Sequence, residues 1–171
     1  MKIAIVYKSI TGNTAEVAEA VREGLAGNEI VYFGEPKEGI EAQMFFIGSW
    51  IDKGTCCPEI LEFLKSMKNS QIAFFATAGS GSSESYNESL FNRIKEQIPA
   101  SNQLAGHFIC QGRMPQPVRS RYEQMLAQHP EDSRLQASIK NFDEALSHPD
   151  SRDLGNARQW AAQCVQQLEN Q

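Results

Sequence analysis

The stretch Lys8-Ser9-Ile10-Thr11-Gly12-Asn13-Thr14 puts three hydroxyls, an amide and a glycine into one bend. An apolar run precedes it and a helical pattern follows. Gly12 permits close backbone approach, and the N–H groups of 11–15 face the entrance of the helix, whose dipole favours an anion. Ser9, Thr11, Asn13 and Thr14 add neutral donors, so a monophosphate is the natural occupant. Other phosphate chemistries lack their residues. No Lys follows Gly12 as a Walker loop requires, and no GxGxxG is present. The loop holds neither the Cys and Arg of a small phosphatase nor the Asp of a receiver domain. The plainer alternative is a polar strand-to-helix turn capped by Asn13 or Thr11.

Two more loops carry candidate chemistry. "GSWIDKGTCC" exposes Trp50 after an apolar run, and "AGSGSSESY" is small and flexible before Tyr86. Ordinary readings are a core tryptophan at a strand end and a surface tyrosine at a helix start.

The elements that must position these loops are short. Runs at 2–7, 28–33, 42–49, 71–78 and 105–112 are apolar and bounded by Gly, Ser, Asn or Pro, as strands covered on both faces are. Helical stripes separate them: Val17, Ala18, Val21 and Leu25 in 14–26; Ile60, Leu61 and Leu64 in 58–67, with Pro58 at the start; Leu90, Phe91 and Ile94 in 86–97. Alternation of this kind predicts right-handed crossovers and a doubly wound α/β sheet of five parallel strands in the order 2-1-3-4-5. The link "GEPKEGIE" is too short and broken for a helix and is expected to be a loop. After residue 112 the chain turns helical and polar, with breaks at His129-Pro130 and His148-Pro149. The last segment aligns Leu154, Ala157, Ala161, Cys164 and Leu168 on one face, which predicts docking on the sheet.

In such a sheet, ligands bind at the carboxyl ends of strands where the winding reverses. Strand 1 lies there, and the Trp50 and Tyr86 loops flank it. A phosphate cradle beside two aromatic-bearing loops suits a phosphorylated planar heterocycle, and FMN fits best.

Composition sets outer bounds. The chain has 171 residues, 41% hydrophobic and 22% charged, which suits one globular domain with a full core. Its net charge of -5 argues against a nucleic-acid partner and suits meeting basic proteins. No apolar window is long enough for a membrane span, and the amino terminus lacks the pattern of a secretory leader. A cytoplasmic monomer is the expectation. Cys56, Cys57, Cys110 and Cys164 form neither a disulfide framework nor a tetrahedral metal set, and a vicinal Cys56–Cys57 disulfide is disfavoured. His107, His129 and His148 have no ligand partner at metal spacing, so no metal is expected. Arg113, Arg119 and Arg121 cluster after the last strand, as a solvated face or as a docking patch.

"SITGNT" resembles the flavodoxin phosphate loop, [ST]xTGxT, and "TAGSGSSESY" resembles the second flavin loop of that family. "GSWIDKGT", "FICQGRMP" and the tail from "HPEDSR" to "RQW" resemble a bacterial flavodoxin-like branch with a helical C-terminal extension. The resemblance covers nearly the whole chain: 1–112 as sheet and FMN site, 113–171 as a helical part of a single domain. It implies non-covalent FMN and low-potential electron transfer between a reductase and an acceptor enzyme. Direct reduction of a small molecule such as a quinone is the alternative. The phosphate then falls to Ser9, Ile10, Thr11, Gly12, Asn13 and Thr14. Ser49, Trp50 and Ile51 line one side of the flavin, with Trp50 stacking. Ala78, Gly79, Ser80, Gly81 and Ser82 offer backbone groups to the pyrimidine edge, Tyr86 covers the other face, and Cys110, Gln111 and Gly112 end near the rim. The family places a glycine after this tryptophan, whose peptide flips on reduction. Ile51 stands there instead, and a β-branched residue tolerates positive φ poorly. Gly54 is the substitute. Lys53 adds an atypical cation near the rim.

Overall fold

The apolar runs form a parallel sheet in the computed structural model, which describes residues 1–81 and 83–170. The strands are β1 (Lys2–Tyr7), β2 (Glu29–Gly34), β3 (Met44–Asp52), β5 (Gln71–Ala78) and β6 (Gln103–Gln111), ordered β2-β1-β3-β5-β6. This is the predicted doubly wound arrangement, with winding reversing beside β1. One small strand was not anticipated. β4 (Thr55–Cys56) pairs antiparallel with the end of β3, Ile51 opposite Cys56 and Asp52 opposite Thr55.

The helices are α1 (Asn13–Gly24), α2 (Pro58–Ser66), α3 (Glu84–Lys95), α4 (Gln116–Gln128), α5 (Ser133–Ala145) and α6 (Ser151–Glu169). Residues 35–43 between β2 and β3 form no helix or strand, as the broken link predicts. One core layer joins α2 and α3 to the sheet through Ile60, Leu64, Leu90, Phe91 and Ile94. The opposite layer joins α1 and α6 through Val17, Val21, Leu25, Ala157, Ala161 and Cys164. Strand side chains alternate between these layers, so Val6, Ile47 and Phe74 face one and Ile5, Phe46 and Phe75 the other. α1 and α6 approach so closely that a Cβ on Gly24 would lie 2.3 Å from the Arg158 carbonyl oxygen.

The helical part after β6 therefore has two roles. α6 is the helix that closes the second face of the sheet, and its predicted stripe is what docks. α4 and α5 are inserted between the last strand and that helix. Asp132 caps α5 by accepting from the Arg134 and Leu135 N–H groups, and Asp150 caps α6 in a reciprocal box with Asp153. No described helix is long and apolar enough to cross a membrane.

Candidate functional site

The polar bend leaves β1 at Tyr7, and the Lys8 N–H still donates to the Gly48 carbonyl at 3.1 Å. The Lys8 ammonium pairs with Glu35 at 2.9 Å, which takes it toward β2. Gly12 is the N-cap of α1 with φ 92, a left-handed conformation that favours glycine, and it gives no side-chain cap. The capping by Asn13 or Thr11 weighed from sequence is not what forms. Ser9 instead accepts from the Ala15 N–H at 3.3 Å. Thr14 is buried and shares a hydrogen bond with Thr77 of β5 at 3.0 Å.

Asn13 has a different task from the one its type suggested. Its side chain is 5% exposed and donates from Nδ2 to the Arg113 carbonyl at 2.8 Å. Its Oδ1 is buried with no partner among the described residues. Asn13 thus has an acceptor to spare. Ile10 is the reverse case, an apolar side chain 68% exposed on the crown of the bend.

Trp50 is half-buried at the end of β3, and its indole nitrogen is buried without a partner among the described residues. Ser49 is fully buried and engaged elsewhere, accepting from the Cys57 N–H at 3.0 Å. Ile51 is held by pairing with Cys56, and positive φ falls on Lys53 (48) and Gly54 (81). Two such residues make the tight turn of a two-residue hairpin. The left-handed position thus passes from the Ile51 site to the turn, where Gly54 accepts it readily.

The loop after β5 is fixed by its carbonyls. That of Ala78 accepts from the N–H groups of Gly81 and Gly112 at 3.0 and 3.1 Å. That of Gly79 accepts from the side-chain amides of Gln111 and Asn141, each at 3.0 Å. Ser80 is exposed, and Ser82 lies outside the described residues. Tyr86 packs on the core layer of α3.

A cleft of about 480 Å³ unites half of the described candidate residues. Ile10, Thr11, Asn13, Trp50, Ile51, Ala78 and Gly79 line it, while Ser9, Gly12, Thr14, Ser49, Ser80, Gly81 and Tyr86 do not. Gly12 and Ser9 instead shape the bend, and Thr14 anchors it to β5. Larger hollows of 630 Å³ along α2 and 530 Å³ beside β6 lie away from the bend.

Sequence reasoning foresaw Lys53 and the arginines near this end of the sheet, but not the rest of the wall. Arg113, Met114, Pro115, Val118 and Tyr122 line the same cleft, with Thr77, Asp52 and Lys53. The quoted "CQGRMP" was the available signal, but nothing in its spacing shows that it turns back over the bend. Arg113 forms an ion pair with Glu16 in the first turn of α1, so a cation stands beside a loop expected to be neutral. Arg119 is bound to Glu123 and to Asp143, the latter at 2.9 Å. Two of the three clustered arginines are thus paired within the chain.

Two other groups have structural explanations. Burial pushes the Cys56 thiol up to about 12 and raises Cys57, so both stay protonated at neutral pH, and all four cysteines are free. His148, Asp150 and Asp153 converge within 4.8 Å, which their spacing in sequence did not suggest. Their contacts belong to the cap of α6. Asp150 accepts from the Arg152 and Asp153 N–H groups, and Asp153 accepts from the Asp150 N–H and faces His148 Nδ1 at 2.6 Å.

Residues 4–162 match the flavodoxin domain family. The chain belongs to that family. It is similar to a flavodoxin-like domain-containing protein BilS of Clostridium symbiosum, 39% identical over 172 residues covering 90% of each chain. A protein of the same name from Clostridioides difficile is 32% identical over 168 residues, covering 94% of each. Among solved structures, a flavodoxin from the domain Archaea aligns over 99% of both chains with TM-score 0.55 and 14% identity. Oxidised Flavodoxin 2 from Bacillus cereus aligns over 98% of this chain and 99% of its own, with TM-score 0.56 and 16% identity. Identities that low speak for the flavodoxin fold alone.

The donor set of this flavodoxin-like chain suits FMN. A glycine-capped helix start and an arginine are placed for a phosphate, a spare amide oxygen for a hydroxyl, and a tryptophan for a planar ring.

Proposed function

We propose that the chain binds FMN in this cleft and acts as a cytoplasmic, monomeric electron carrier, taking low-potential electrons from a reductase and passing them to an acceptor enzyme. The observation that carries this is the meeting of the α1 start, Trp50 and the Gly79 loop in one cleft at the carboxyl edge of the sheet. The bound flavin supplies the redox chemistry. The protein's residues bind and orient. The first-turn N–H groups of α1 and the Arg113 guanidinium hold the phosphate, and Glu16 keeps Arg113 beside it. Asn13 Oδ1, buried without a partner among the described residues, would accept from a ribityl hydroxyl. Trp50 covers a ring face. The two amides on the Gly79 carbonyl fix the peptide at the pyrimidine edge. Ile51, locked in its hairpin, leaves the adjustable peptide at Lys53-Gly54.

Direct reduction of a small molecule is the second reading. α4 lines the cleft, as the cover of a substrate pocket would. Purified protein distinguishes the two. The carrier reading expects yellow protein that releases FMN on denaturation and is reduced anaerobically only when a reductase is supplied. Reduction by NAD(P)H alone, with turnover of a quinone, favours the enzyme. Colourless protein that takes up no added FMN overturns both.

A further inference from the structure

α4 is a helix without a buried residue. Its apolar side chains nevertheless form a stripe: Val118, Tyr122 one turn on, and Met125, 44% exposed, beyond it. Val118 and Tyr122 line the cleft, joined by Met114 just before the helix. Met114 lies against the second loop, where a Cβ on Gly79 would stand 2.5 Å from its sulfur. Helices of this length draw most of their stability from burying an apolar face. The first two members of the α4 stripe, Val118 and Tyr122, face a cleft rather than a core layer.

α4 packs beside α5, and polar contacts tie the pair to the site. Arg119 ties it to Asp143 of α5 at 2.9 and 3.2 Å. α5 in turn donates from Asn141 to the Gly79 carbonyl at 3.0 Å and accepts from Gln111 at 3.1 Å. The inserted hairpin is thereby hydrogen-bonded to the loop expected to meet the pyrimidine edge. Tyr86, the residue offered by resemblance for the second ring face, packs on the core layer of α3 and does not line the cleft.

We infer that the α4–α5 insertion is a cofactor clamp. Tyr122 and Met114 supply the second wall of the flavin site, and bound FMN is what the apolar stripe of α4 packs against. This rests on the FMN reading. It adds that the insertion closes the site, and that order in α4 and cofactor affinity are linked.

FMN titrations of the full chain, followed by quenching of flavin fluorescence, test it. Tyr122→Ala and Met114→Ala are each expected to weaken binding, the tyrosine variant by about tenfold or more, the scale of losing one aromatic stacking surface. Tyr86→Ala should change the dissociation constant less than about twofold. Because Tyr122 is only half-buried, the FMN-free melting temperature of its variant should move by no more than roughly 4 °C. Hydrogen exchange supplies an activity-independent readout, with amides of residues 114–126 slowing on addition of FMN. If FMN binds tightly but Tyr122→Ala and Met114→Ala leave affinity unchanged, or exchange slows at residues 9–15 and not at 114–126, the clamp is overturned and the FMN reading stands. Failure of the unsubstituted protein to bind FMN overturns both.

Discussion

Asn13 separates a structural role from a ligand role within one side chain. Asn13→Ala removes the hydrogen bond from Nδ2 to the Arg113 carbonyl, worth about 1 kcal/mol, and leaves that carbonyl unpaired at about 1–3 kcal/mol. It also removes Oδ1, now buried without a partner, a relief of about the same 1–3 kcal/mol. In FMN-free protein these effects largely cancel. A net loss of about 1 kcal/mol lowers the melting temperature by roughly 2–4 °C. With FMN present the balance changes, because Oδ1 then has a hydroxyl to accept from. Losing that bond weakens FMN about tenfold, or about 1.4 kcal/mol. Asn13→Asp should be worse on both counts. It turns the donor facing a carbonyl into an acceptor and brings a negative charge beside the phosphate. Thermal melts without ligand, paired with fluorescence titrations of FMN, read the two effects separately. The reasoning is refuted if Asn13→Ala melts more than about 10 °C lower without FMN, or binds FMN within about twofold of the parent.

Three further outcomes are expected. Trp50→Ala should weaken FMN by about tenfold or more and leave the remaining bound flavin more fluorescent; an unchanged affinity would remove Trp50 from the site. Gly48→Ala puts a Cβ 2.2 Å from the ring of the fully buried Phe75, and should cost about 1–3 kcal/mol, seen as a drop of roughly 2–12 °C in melting temperature. Burial raises the pKa of the cysteine thiols, Cys56 to about 12 and Cys164 to about 11 from 9.0. A raised folded-state pKa means this contribution is intact below pH 9 and is lost as pH climbs from there toward 12. Chemical denaturation should therefore show stability falling over that window, and a thiol reagent at pH 8 should label native protein far more slowly than unfolded protein.

Strand and helix placement was legible because both depend on local pattern. β1 and β5 occupy the stretches read from their apolar runs, and α2 starts at Pro58 where a residue without an N–H is tolerated. β3 runs further than expected, to Asp52, because Lys53-Gly54 turn the chain back into β4. Lysine is not a residue whose type announces positive φ, so the hairpin left little trace in sequence. The bend at 8–14 was legible for a related reason: its glycine, hydroxyls and position between strand and helix are all local properties. What each side chain does there was not. Asn13, Ser49 and Thr14 are donors by type, yet Arg113, Cys57 and Thr77 claim them, and those partners are fixed only by packing.

The sequence by itself determined the order of elements, the winding of the sheet and hence which loops share its carboxyl edge. Periodicity, chirality and short connections leave few other solutions. Tertiary structure decided which residues complete the cleft. Arg113, Met114 and Tyr122 follow β6, the edge strand farthest from β2, and return to the bend after β1 only because the chain turns there over the sheet end. No repeat or spacing encodes that return. It follows from α6 being drawn to the second face by its apolar stripe, which leaves α4 and α5, joined through Arg119 and Asp143 and held to Gly79 by Asn141, at the mouth of the site.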